Sequence, residues 1–344
     1  MGRTPPLVTA LATVAVMLVV PIHAPARGVI AFGVYDTPGT DIAMMDESGG
    51  TQRMLTEREA TVDLGPFWSL DGSKIGFTSR SRADFKTGDY DVFAMDADGS
   101  NVRNLTRTPD MKERGHAWTP DGRHILITEG RLVNNPLPDN DEGMYLMDID
   151  TGAKVAVGDP KGRRPSLSTD GTKLVYGLGV TNQPWMGLYT VDLRTGERTR
   201  LTFDYTVPVG APVWSPDGTR IAYLTSRGGG NLEIHVMDAD GTNATRVARW
   251  PHATTQPTWS PDGGSIMFAS VPALVGDFRV DGIYIADLDT GRRARVVINE
   301  LTLSVGGPSA KLTGVTAWWG PELQTLAVSP TRKRASTWAA LKSR

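Results

Sequence analysis

Val213-Trp214-Ser215-Pro216-Asp217-Gly218 is one of five variants of a single segment. The others are Phe67-Trp68-Ser69-Leu70-Asp71-Gly72, Ala117-Trp118-Thr119-Pro120-Asp121-Gly122, Ser166-Leu167-Ser168-Thr169-Asp170-Gly171 and Thr258-Trp259-Ser260-Pro261-Asp262-Gly263. The aspartates fall at 71, 121, 170, 217 and 262, at intervals of 50, 49, 47 and 45 residues. Periods of this size mark a repeat architecture. Residues that recur in every repeat build the repeat, which makes them weak candidates for catalysis.

Working outward, each copy continues alike. A short alternating strand follows Asp-Gly, such as Arg220-Ile221-Ala222-Tyr223, and after a variable loop a third strand ends in Asp, such as Ile234-His235-Val236-Met237-Asp238. A Gly-containing turn and a fourth strand close the unit, as in Leu193-Arg194-Thr195-Gly196 and Thr199-Arg200-Leu201-Thr202. Alternation bounded by Asp-Gly and Thr-Gly turns is the signal of strands joined in hairpins. Four short strands per unit predict one propeller blade, and hence an all-β β-propeller of four-stranded antiparallel blades.

The ends complete the count. Residues 28–56 hold only the later strands of a unit, and Val315-Thr316-Ala317-Trp318-Trp319-Gly320 reads as the missing innermost strand. N- and C-terminal strands are thus expected to share blade one and close a six-bladed ring, removing an open sheet edge.

This pattern resembles the TolB-type six-bladed propeller with its Trp-Ser-Pro-Asp-Gly repeat; residues 211–247 are the nearest copy, and the likeness runs over about 28–330. The resemblance implies the fold; the same repeat serves many roles. TolB proper has a sizeable α/β domain ahead of its propeller, where this sequence has a short leader.

That leader carries Arg3, an apolar run from Leu7 to Val20, Pro21, and Ala24-Pro25-Ala26. A run of 14 residues falls short of the roughly 20 a membrane span needs, and Ala-x-Ala is a cleavage signal. Residues 1–26 are therefore expected to be a signal peptide, 27–330 the propeller and 331–344 a basic flexible tail, with the mature chain periplasmic or secreted and no further membrane span. An uncleaved anchor is the alternative. The chain has no cysteine, and its formal charge of −2 becomes −3 when Arg3 leaves with the leader. That near-balance argues against a general nucleic-acid or membrane-surface binder. We expect a monomer.

The repeated residues have structural roles in this reading. Asp before Gly bonds backbone two residues on, and Gly takes positive φ. Trp68, Trp118, Trp214, Trp259 and Trp318 are placed to wedge between blades, the alternative being stacking platforms for sugars. Asp96-Ala97-Asp98-Gly99 and Asp238-Ala239-Asp240-Gly241 lack the rest of an EF-hand loop and read as turns. No cofactor or metal is expected, and no catalytic residue is assigned: there is no Gly-x-Ser-x-Gly elbow, His-Glu-x-x-His or phosphate loop. His124 and His235 lie in strand patterns, whereas His116 and His252 precede innermost strands. Some propeller lyases carry a His-rich metal site there; two histidines are too few to argue for one.

Long loops at 80–89, 129–143 and 271–282, the second with acidic residues 139–142, point to one working face, since variable loops on a rigid scaffold carry binding sites. Arg114, His116, Arg163, Arg164 and Gln256 stand just ahead of innermost strands, so they are the candidate ligand-binding residues at the channel mouth. Three arginines in a net-acidic chain suit a carboxylate through bidentate contacts. Alternatively they pair with Asp110, Glu113 or Asp159. The expected function is an exported, non-catalytic binding or scaffold propeller that engages a protein, peptide or glycan. The alternative is a propeller enzyme, a polysaccharide lyase or hydrolase, with its active site at that mouth.

Overall fold

A computed structural model describes residues 29–36, 39–46, 52–57, 61–81, 89–109, 111–131, 143–180, 183–204, 209–226, 232–250, 253–254, 256–260, 262–271, 282–291, 293–296 and 311–314. Every regular element among them is a β-strand, so no helix long and apolar enough to cross a membrane occurs there. The first unit holds β1 (Val29–Asp36), β2 (Gly39–Asp46) and β3 (Gln52–Met54); the second β4 (Thr61–Trp68), β5 (Lys74–Ser81), β6 (Asp91–Asp96) and β7 (Arg103–Asn104). The third comprises β8 (Met111–Trp118), β9 (His124–Arg131), β10 (Gly143–Asp148) and β11 (Lys154–Ala156), the fourth β12 (Gly162–Leu167), β13 (Lys173–Val180), β14 (Gln183–Asp192) and β15 (Arg198–Arg200). The fifth comprises β16 (Val209–Trp214), β17 (Arg220–Thr225), β18 (Leu232–Asp238) and β19 (Thr245–Trp250). In the sixth, β20 (Ala253–Thr254) and β21 (Thr258–Trp259) both pair with β22 (Ser265–Val271), ahead of β23 (Gly282–Asp287) and β24 (Arg293–Val296).

Within each unit neighbouring strands are antiparallel, innermost strand first in sequence, as the repeat predicts. The first unit differs. Its β1 takes an antiparallel partner from far downstream, β25 (Lys311–Gly314), through Gly33–Gly314, Val34–Leu312 and Tyr35–Lys311. The strand expected at 315–320 lies outside the described residues; β25 immediately precedes it.

The repeated Ser/Thr-x-Asp-Gly segment folds the same way five times. Ser215 Oγ donates to Asp217 Oδ1 (2.6 Å) and accepts from Arg220 N (2.8 Å), while Asp217 Oδ1 accepts from Thr219 N (3.0 Å). Ser69, Thr119, Ser168 and Ser260 likewise donate to Asp71, Asp121, Asp170 and Asp262 and accept from the backbone N of Lys74, His124, Lys173 and Ser265. The following glycines hold φ between 67° and 72°, which a side chain resists. The hydroxyl is the main reason the carboxyls of Asp71, Asp121 and Asp170 sit below the usual range, with the backbone N–H next. The outer Asp-x-Asp-Gly turns are held likewise: Asp98 accepts from Ser100 N and Asp240 from Thr242 N, at 2.9 Å each.

The core lies between neighbouring units. Trp118 packs with Phe67 and Val92 of the second unit and Ile125 of its own; Trp214 packs with Val175 and Leu188 of the fourth; Trp259 joins Ala222, Leu224 and Ile234 of the fifth. All three are about 6% exposed, as a wedge requires and a sugar-stacking platform does not allow. Leu167 fills the same place in the fourth unit.

Candidate functional site

Every innermost strand from the second to the fifth unit breaks register at one place. The shift lies between Leu64 and Phe67 in β4, Gly115 and Ala117 in β8, Arg163 and Ser166 in β12, and Gly210 and Val213 in β16. In the sixth unit the gap between β20 and β21 falls at the same position. These are β-bulges, which leave a residue outside the ladder and re-aim its side chain. Counting back three and two residues from the tryptophan position, the bulges read Gly65-Pro66, Gly115-His116, Arg164-Pro165, Ala211-Pro212 and Gln256-Pro257. Proline has no N–H to lose at an unpaired position, so four of the five are explained by the backbone alone. His116 is the exception. Arg164 holds φ at 48°, a costly angle for a side chain outside glycine.

A cavity of about 560 Å³ runs along these bulges, and Arg114, His116, Arg164 and Gln256 line it. Arg163 does not; it pairs across to Gly177 within the ladder, and the turn of the chain at Arg164 separates the two neighbours. Tyr90, Trp68, Leu70, Pro120 and Val213 add to the wall. The Arg114 guanidinium lies 5.7 Å from the centre of the Tyr90 ring, and that of Arg80 4.8 Å from it. Of the carboxylates expected near the arginines, Glu113 Oε1 accepts from Lys154 Nζ (2.6 Å) and Asp159 pairs with Arg198. Asp110 and His252, with the acidic loop residues 139–142, lie outside the described residues.

His116 is the polar centre of the cavity. Its Nε2 is 3.0 Å from Thr128 Oγ1. Burial, then the charges of Arg114 and Arg164, push its pKa down to about 3. Arg164 lines the cavity and keeps accessible surface; desolvation, then the nearby Arg114, lower its pKa. The site thus presents two guanidinium groups, a neutral imidazole and an amide in one recess. This has a consequence for stability. The folded pKa of His116 lies below the 6.5 of a free histidine, so the unfolded chain takes up a proton first as pH falls. The contribution is complete above about pH 6.5 and drains away toward pH 3, at a slope approaching about 1.4 kcal/mol per pH unit. The turn aspartates add acid lability only below about pH 4. His116→Gln should therefore flatten the stability profile between pH 4.5 and 6, measured by urea unfolding. An unchanged slope would mean that His116 titrates normally.

The other conspicuous histidine is not part of this site. His235 is buried on β18, its Nε2 3.0 Å from Glu233 Oε2, with Arg246 3.4 Å from Glu233 Oε1. Among the described residues no group of three or more His, Cys, Asp or Glu side chains is placed to hold a metal ion.

Bladed sheets of this order, with a bulge-lined cavity at the innermost strands, define a β-propeller. Residues 164–305 match the TolB beta propeller domain. A stretch of 81 residues is 36% identical to the Tol-Pal system protein TolB of Hahella chejuensis, covering 23% of this chain and 18% of that protein. Another of 107 residues is 30% identical to the uncharacterized peptidase YuxL of Bacillus subtilis strain 168, covering 30% and 16%. The chain thus matches less than a fifth of the length of either. The crystal structure of TolB from Acinetobacter baumannii gives a TM-score of 0.67 at 20% identity, over 86% of this chain and 67% of that one. An oligogalacturonate lyase in complex with manganese gives 0.55 at 13% identity, over 78% and 73%. At such identities the structural likeness carries the fold alone.

Proposed function

We propose that this chain is an exported, non-catalytic binding propeller. It engages a protein, peptide or glycan on the face that carries the long loops, and holds a carboxylate in the channel that opens there. The observation that carries this reading is the convergence of Arg114, Arg164, His116 and Gln256 on one cavity at the innermost bulges. Two guanidinium groups lining one recess favour an anion, and the fork of each matches a carboxylate. The carboxylates of Glu113 and Asp159 already have Lys154 and Arg198 as partners. A relative named for the Tol-Pal system agrees with a binding role. Export rests on residues 1–26, which read as a signal peptide; closure of a monomeric six-bladed ring rests on the β1–β25 pair.

One observation favours the enzyme alternative. His116 lines the same cavity as the two arginines that would hold a carboxylate, the placement a proton-transfer group needs, although a pKa of about 3 leaves it a weak base. The likeness to an oligogalacturonate lyase is one of fold only.

A test uses a hexaglutamate peptide and an oligogalacturonate as probes in calorimetric titration, with Arg114→Gln/Arg164→Gln beside the native chain. The double variant should bind at least about tenfold more weakly, the expected loss when charge-assisted contacts go, and melt at nearly the same temperature. Equal affinity in both proteins would move the site elsewhere. Release of an unsaturated sugar product would establish the lyase instead.

A further inference from the structure

The cavity is longer than an anion site needs. Its wall follows the innermost strands from bulge to turn: Leu64 to Leu70, Arg114 to Pro120 and Arg164 to Thr169. These spans of six or seven residues, five or six steps of about 3.3 Å, make a passage of roughly 16–20 Å. Charge is confined to one end of it. Among the described lining residues the only charged side chains are Arg114 and Arg164, both at the bulge level. Beyond them Trp68, Leu70, Trp118, Pro120, Leu167 and Val213 face the passage. Leu70, at the far end, is 53% exposed where three other units carry proline at the same sequence position, Pro120, Pro216 and Pro261.

We infer that the channel takes a linear alkyl monocarboxylate, its head held between Arg114 and Arg164 and its tail lying along the apolar wall toward Leu70 and Pro120. The inference rests on the anion-binding reading above and gives the channel a ligand of its own, separate from the protein, peptide or glycan engaged by the loop face. Charge complementarity sets the direction of the ligand: an anionic head is stable only at the bulge end, and an apolar tail only beyond it. The wall also speaks against an extended peptide there, whose backbone needs partners along its length. Three of its hydroxyls are engaged internally. Thr78 Oγ1 accepts from Gly115 N (3.2 Å), Ser166 Oγ from Trp214 N (3.3 Å), and Ser168 Oγ donates to Asp170 (2.6 Å) while accepting from Lys173 N (2.9 Å). An alkyl chain asks nothing of them.

Butanoate, hexanoate, octanoate and dodecanoate, below their micelle concentrations, test this by calorimetric titration of the full chain. Affinity should rise about fourfold per added methylene, the equivalent of about 0.8 kcal/mol each, until the passage is filled. Leu70→Asp, at an exposed position that folding tolerates, should weaken dodecanoate at least tenfold and leave butanoate unchanged; Pro120→Asp is the second variant. Arg114→Gln/Arg164→Gln should weaken every member alike, and dodecanamide should bind far more weakly than dodecanoate. Equal affinity for butanoate and dodecanoate would overturn the tail and leave the anion site standing. Failure of every carboxylate, hexaglutamate included, would overturn both. Tighter binding of an apolar pentapeptide acid than of dodecanoate, lost on amidation, would replace the alkyl chain with a polypeptide end.

Discussion

Trp214→Ala should destabilise the protein by about 3–5 kcal/mol, the cost of emptying a large aromatic site in a packed core. Trp214 is 6% exposed and lies between the fourth and fifth units, against Val175, Leu188, Ile221 and Tyr223. Its backbone N donates to Ser166 Oγ across that interface. No small rearrangement closes such a gap, because strands on both sides are fixed in their ladders. The indole Nε1, by contrast, is buried without a hydrogen bond. Trp214→Phe removes that N–H along with some volume, so it should cost well under half as much as alanine. Denaturant unfolding of both variants checks the pair. A loss below about 1 kcal/mol for alanine would mean that Trp214 is exposed. Neither change should alter ligand affinity specifically, since Trp214 does not line the channel.

The contrast between Trp214 and His116 shows which parts of the molecule the sequence makes legible. Turns are local: Ser215, Asp217 and Gly218 specify their own bonds within six residues, and five copies confirm one another. Blade order follows from the same period. A bulge is not local, because it exists only relative to the partner strand. The proline two residues before the tryptophan in four copies, and His116 in its stead, is the trace it leaves in sequence. Aligning the copies on that proline would have singled out His116, Arg164 and Gln256 at once. Arg163 and Arg164 show the limit. They are adjacent and chemically identical, and only the positive φ at Arg164 decides which one meets the cavity. Depth is the other quantity sequence hides: Glu233 and His235 share a strand face by spacing, but their burial as a pair depends on how the units stack.

Removing residues 311–344 should have a larger effect still. The first unit has three strands of its own, and among the described residues its fourth strand is β25, paired with β1 through Gly33–Gly314, Val34–Leu312 and Tyr35–Lys311. On the proposal that this pair closes the ring, truncation exposes the inner edge of β1 at Gly33, Val34 and Tyr35. It also frees a run of backbone donors and acceptors, a template for pairing with another chain. The loss should reach several kcal/mol, a drop in melting temperature of roughly 10 °C or more. Unfolding should also spread into two transitions, since the remaining units keep their mutual interfaces while the first frays. Truncation after residue 330 is the control: it takes only the basic tail and should leave the melt as it was. Calorimetry of the two truncations against the full chain decides the matter. If the shorter chain melts with the same temperature and cooperativity as the full one, β25 is a passive neighbour of β1, and the ring, if it closes, closes by another route.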